Sequence, residues 1–208
     1  MFRLKQVWQD LRITVPHIIV AAILFEVSMY IGATNEAFRE FLMMQMEAIG
    51  GLADQMNDSS NPTLTFMTVI FFNNAIKSIL VIFLGAFFGL FPIFFLVVNG
   101  MILGFVIQLS LDGTANVSVW DLIFKGLLPH GILEIPALIV AGAYGLRLGR
   151  LLFSTMGALI TNHSKLDRIG ASYKETLKRC GVMAVYITII LFVAAIVEST
   201  LTLWLLTL

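Results

Sequence analysis

FMTVIFFNNAIKSILVIFLGAFFGLFPIFFLVVNGMILGFVIQLSL, residues 66–111, carries a single formal charge, Lys77. A bilayer core needs about 20 apolar residues per helical span at about 1.5 Å rise each, so this stretch is long enough to cross twice. Its interruption is Gly89-Leu90-Phe91-Pro92. Proline removes a helix donor and clashes with the preceding turn, so the break predicts two spans, 66–90 and 92–111, joined by a tight hairpin at or just inside the interface.

Working outward from that hairpin, 15–34, 127–148 and 182–206 meet the same criterion, which makes five spans. The composition agrees: 59% of the residues are hydrophobic, 12% are charged, and the mean hydropathy is +0.93. The reading is all-α, a polytopic membrane helix bundle forming one domain over 1–208, multi-pass in a cell membrane. The first span starts too late and runs too long for a cleaved leader, and is read as a retained signal anchor.

Thirteen Lys and Arg balance 13 Asp and Glu, so the net charge is uninformative and only its distribution speaks. Basic flanks stay in the cytoplasm. Arg3, Lys5 and Arg12 flank the first span, and Arg147, Arg150, Lys165, Arg168, Lys174, Lys178 and Arg179 lie in or beside the 149–181 connection. The 35–65 loop instead holds Arg39 against Glu36, Glu40, Glu47, Asp54 and Asp58. The N-terminus and the 149–181 loop are therefore expected inside, and the 35–65 loop and the C-terminus outside. Residues 36–49 and 166–178 show helical periodicity suited to interfacial amphipathic helices. Cys180 is the only cysteine, which rules out a disulfide within the chain and a thiolate metal cluster. No nucleotide-binding loop or nucleic-acid module is present, so the bilayer is the expected surrounding.

Ionisable residues inside apolar spans mark the place to look for function, because a charge at the centre of a bilayer costs roughly 2.5–3.5 kcal/mol on insertion scales. Glu26, Lys77, His130, Glu134 and Glu198 are such residues, joined by Asn73 and Asn74. On the five-span topology Glu26, Asn73, Asn74 and Glu198 all lie roughly 12 Å below one face at about 1.5 Å per residue, with Glu134 at a similar level. The expectation is one intramembrane polar site in the outer half of the bundle. Asn73 or Asn74 shares a helix face with Lys77, and His130 and Glu134 are four apart. Pro129 suits a helix start, and Pro136 frees the carbonyl of Ile132. Asn99 and Gln108 offer further hydrogen bonds in the third span.

His130 and Glu134 are also the metal candidates, with Glu26 or Glu198 as a third ligand to a divalent ion. A zinc-protease helix needs a second histidine, and His17 and His163 fall at the other end of the spans. No other cofactor has ligands here. A neutralised structural network is the plainer reading of the same residues.

Three G-x-x-x-G pairs, Gly85/Gly89, Gly100/Gly104 and Gly145/Gly149, let helix backbones approach closely, and Ala137 and Ala141 extend the last stripe. They serve contacts within the chain or, less often, a homodimer.

The asparagines of FFNNAIKS, the Asn99-Gly100 return, PHGILEIPALIVAGAYG at 129–145 and the basic exit LRLGRLL together resemble the stage II sporulation protein M family. PHGILEIPA is the most specific part. The resemblance implies a polytopic membrane protein of endospore-forming bacteria that anchors peptidoglycan hydrolases, a lytic transglycosylase and an amidase, during engulfment of the forespore. The broader family also has relatives outside sporulation. Two function classes follow: a noncatalytic membrane scaffold, favoured because no complete catalytic constellation is visible, and a small transporter, ion-conducting protein or metal-dependent enzyme built on the polar site.

Overall fold

The computed structural model describes residues 4–114, 118–161 and 166–206, with the side chains of 4, 160, 161, 166–168, 203 and 206 excepted. Arg3, His163 and Lys165 lie outside the described residues, as does the side chain of Arg168. All regular structure among the described residues is helical: α1 (Leu4–Thr34), α2 (Arg39–Asn57), α3 (Pro62–Leu84), α4 (Leu90–Leu111), the short α5 (Val119–Asp121), α6 (Leu128–Thr161), α7 (Leu166–Val197) and α8 (Leu203–Leu206). Two π-helical segments, Leu122–Leu127 and Glu198–Thr202, precede α6 and follow α7. Among the described residues, five helical stretches are long and apolar enough to cross a membrane. Ile19, Ile23, Ile76, Leu80, Phe94 and Ile189 are exposed on them, as a lipid-facing surface requires.

The helices extend well beyond the expected spans. The 149–181 connection is almost all helix, because α6 continues to Thr161 and α7 begins at Leu166. Residues 166–178 are thus continuous with a membrane helix and form no separate interfacial element. On the other side of the bundle, a 3-10 turn at Glu36–Phe38 leads into α2, where an interfacial helix was expected.

The hairpin break falls earlier than the proline suggested. Helix α3 starts at Pro62 behind an Asn61 cap and stops at Leu84, where the reading carried it to Leu90. The turn spans 85–89, with Phe88 at φ 57° and Gly89 at φ 72°. Leu90 opens α4, so Pro92 sits in its first turn, where a missing N–H breaks no helical bond. Glycine, free of a Cβ penalty at positive φ, makes the turn; proline follows it.

Helix α6 is central and touches α1, α3, α4 and α7, while α1 pairs most extensively with α4. The glycines sit where these backbones meet. A Cβ on Gly85 would overlap the Gly145 backbone, one on Gly149 the Gly89 backbone, and one on Gly104 the Met29 backbone. Gly100 faces the carbonyl of Phe25, so all three pairs pack helices of this chain on one another. Gly32, unremarked in the sequence, sits against the backbone of Met101 in the same way. Around these contacts lie one core cluster including Ile82, Ala141, Tyr144 and Leu191, and a second of Ala21, Phe25, Leu96 and Ala143. In lipid such contacts stabilise by van der Waals packing, since the tails are as apolar as the side chains. Leu42 of α2 is fully buried with Met101 and Phe105, pinning α2 to one end of the bundle.

Candidate functional site

The two π segments bring their side chains to one place near the α2 end. The wider π turn adds a residue to the helix and re-aims the side chains beyond it, and such turns recur at functional sites. Leu128 N–H accordingly bonds back to the carbonyl of Ile123, a π register that leads into Pro129. His130 and Glu134 project from α6 and Glu198 and Thr202 from the second π segment. One ligand atom each of His130, Glu134 and Glu198 lies within 4.8 Å of the others.

The surrounding hydrogen bonds orient this group. Asn74 on α3 donates to Glu134 Oε1 at 2.7 Å. His130 Nδ1 lies 3.3 Å from Thr202 Oγ1, and His130 Nε2 faces Glu134 Oε2 at 4.0 Å. The His130 and Glu134 side chains are 12% and 19% exposed, so the site is largely shut off from its surroundings. Glu198 is partly buried and lies close enough to Glu134 for the carboxylates to repel. Imidazole and carboxylate are suited to hold a divalent cation or a shared proton.

Asn74, His130, Glu134 and Glu198 of the expected polar site therefore converge. Asn73 is exposed and touches the site only through a bond of 3.3 Å to Asn74. Lys77 is exposed and makes no ion pair among the described residues, although it acts on Glu134 at longer range. Glu26 is exposed on α1, apart from the cluster, because α1 packs on α4 through the face of Phe25 and Ser28. Equal depth placed Glu26 in the layer; helix rotation takes it out. Asn99 turns back onto the carbonyl of Phe95, and Gln108 donates to Asp112.

A second polar group, which the sequence reading missed, lies at the opposite, basic end. Asp10 is 5% exposed and accepts from Tyr144 Oη at 2.5 Å, Arg147 Nη1 at 3.0 Å and Arg179 Nη1 at 2.6 Å. Arg147 also donates to Thr14 Oγ1 at 2.8 Å, and Arg179 Nε to Glu175 Oε1 at 3.0 Å. The available signal was a lone acid within a basic N-terminal flank, with Tyr144 and Arg147 three apart on one face of α6. Beside it a cleft of about 870 Å³ opens between α1 and α7, lined by Arg12, Lys178 and Met183 among others. That cleft is remote from the histidine site, and among the described residues it gathers no comparable set of metal ligands.

The sequence model of the family described as Stage II sporulation protein M matches residues 12–203. The chain belongs to that family. The match covers all five apolar stretches almost completely and both polar groups except Asp10. As a member of the stage II sporulation protein M family with five such stretches, it is a membrane protein. No curated protein and no solved structure matches it.

Proposed function

We propose that the chain is a noncatalytic scaffold of the bacterial cell membrane that recruits peptidoglycan hydrolases, a lytic transglycosylase and an amidase in the sporulating members, for engulfment of the forespore. Family membership supports the anchor role, and the single structural observation that favours recruitment is α2. This helix is clamped to the bundle through fully buried Leu42 while Met43, Met44, Ile49 and Leu52 stay exposed. Flexible methionines beside aliphatic side chains suit a surface that adapts to a partner. On the charge distribution, α2 faces outward, the side on which cell-wall enzymes act.

The test is co-purification of the full chain from membranes with each tagged hydrolase. Replacing Met43, Met44 and Ile49 together by Ser should abolish capture while the bundle stays folded. Leu42→Asp, which unpins α2 from Met101 and Phe105, should do the same. Undiminished capture by both variants would refute recruitment through α2.

A further inference from the structure

We propose that His130, Glu134 and Glu198 form a divalent-cation site of the zinc class inside the bundle. The inference goes beyond the scaffold reading and does not depend on it.

Asn74 occupies Glu134 Oε1, which leaves Oε2 without a hydrogen-bond donor among the described residues and beside the imidazole. When Nδ1 carries the proton and donates to Thr202, the lone pair of His130 Nε2 points at that same Oε2. At 4.0 Å the two atoms are too far apart for a hydrogen bond. Two metal–ligand bonds of about 2.0–2.2 Å meeting at a tetrahedral angle span about 3.4 Å, so a shift of a few tenths of an ångström per side chain closes the pair on a cation. Glu198 supplies the third ligand. Its carboxylate receives no hydrogen bond or ion pair from the described residues, and its charged neighbour is Glu134, another anion.

Charge and ligand type together point to the class of ion. Two ionised carboxylates side by side in a bilayer interior are costly, and exposed Lys77 acts on Glu134 only at longer range and forms an ion pair with neither among the described residues. A divalent cation makes the group neutral with a neutral imidazole, whereas a monovalent ion leaves a net negative charge. One nitrogen and two oxygen ligands suit zinc or a similar first-row ion, with a fourth position open. Thr202 and Asn74 are positioning residues: each ties down the far atom of a ligand, the arrangement by which protein sites fix imidazole tautomer and carboxylate direction. The structure also selects Glu198 over Glu26 as the third ligand, since Glu26 is exposed on another helix.

The test uses the full chain in lipid nanodiscs, stripped with chelator and titrated with Co²⁺ followed by Zn²⁺. The expected result is one equivalent of Co²⁺ with the visible bands of a four-coordinate nitrogen–oxygen site, displaced by Zn²⁺. Glu198→Gln and His130→Ala should each weaken Zn²⁺ binding at least tenfold, and Thr202→Val by about 10–100-fold, as loss of an orienting partner does. Glu26→Gln should bind as the parent does. Protection of the buried Cys180 thiol identifies folded variants. If a variant does not fold, the wild-type Co²⁺ titration and spectrum decide between a site and none. Absence of stoichiometric binding to the wild-type chain, or equal affinity in folded His130→Ala and Glu198→Gln, overturns the proposal.

Discussion

Replacing Asp10 by Ala should destabilise the bundle more than any single polar change at its basic end. The carboxylate is the common acceptor of Tyr144, Arg147 and Arg179. Its loss leaves the Arg147 side chain, only 12% exposed, without an anion and with Thr14 as its remaining partner. Stranding a buried charge costs about 3–5 kcal/mol. Arg179 adds little, because it is 32% exposed and retains Glu175. The sum is therefore set near the lower limit, about 3 kcal/mol, or about a hundredfold in the folding equilibrium. At about 2–4 °C per kcal/mol for a chain of this size, the melting temperature should fall by about 6–12 °C. Cys180 provides the assay: it is the only thiol and fully buried, so a fluorogenic maleimide reports its exposure on heating. Tyr144→Phe, which removes one bond to a charged group worth about 1.5–3 kcal/mol, should fall between Asp10→Ala and the exposed control Glu47→Ala. Denaturant titration followed by circular dichroism separates global unfolding from local opening around Cys180. If Asp10→Ala melts within 2 °C of Glu47→Ala in both assays, the clasp contributes nothing and the reasoning fails.

Gly145→Ala places a methyl 2.6 Å from the Val81 carbonyl and against Pro92, so it should cost about 1–3 kcal/mol in the same melt. Gly170→Ala, where a Cβ meets nothing within 4 Å, should be neutral or gain up to about 1 kcal/mol; equal losses at both positions would refute the packing account. Glu26→Leu should leave the melting temperature unchanged or raise it, because the carboxylate is exposed and has no partner to lose among the described residues; a loss of stability of more than about 1 kcal/mol would show a contact that this chain alone does not make. In a Cys180→Ser background, Asp54→Cys should label with an impermeant maleimide in intact cells and Lys174→Cys only after permeabilisation; the reverse pattern would invert the orientation inferred from the basic flanks.

The five long helices were legible because bilayer thickness acts on any sequence alike, and a run such as 66–111 has no soluble alternative. Their ends were harder to read. Pro92 marked the break, yet the turn lies at 85–89, where glycines meet α6, and that meeting belongs to the tertiary structure. The polar site was half legible for a related reason. Counting residues gives depth along a helix, and depth put Asn74, Glu134 and Glu198, which lie together in the structure, at one level. It gives no rotation about the axis, so Glu26 and Lys77 were included although their faces turn outward. The π segment at Glu198–Thr202, which aims two site residues together, leaves no trace in hydrophobic periodicity. The Asp10 clasp escaped because its members are far apart in sequence and individually resemble ordinary interfacial charges.

The separation of those members bears on how the protein is made. Asp10 precedes Tyr144 by 134 residues, Arg147 by 137 and Arg179 by 169. During synthesis the first helix enters the bilayer long before any of its three donors has left the ribosome, and until then its carboxylate is satisfied by water and headgroups at the interface. Arg179 begins the final crossing, so the clasp closes only when the last helix arrives. A chain released before that point carries an unclasped first helix.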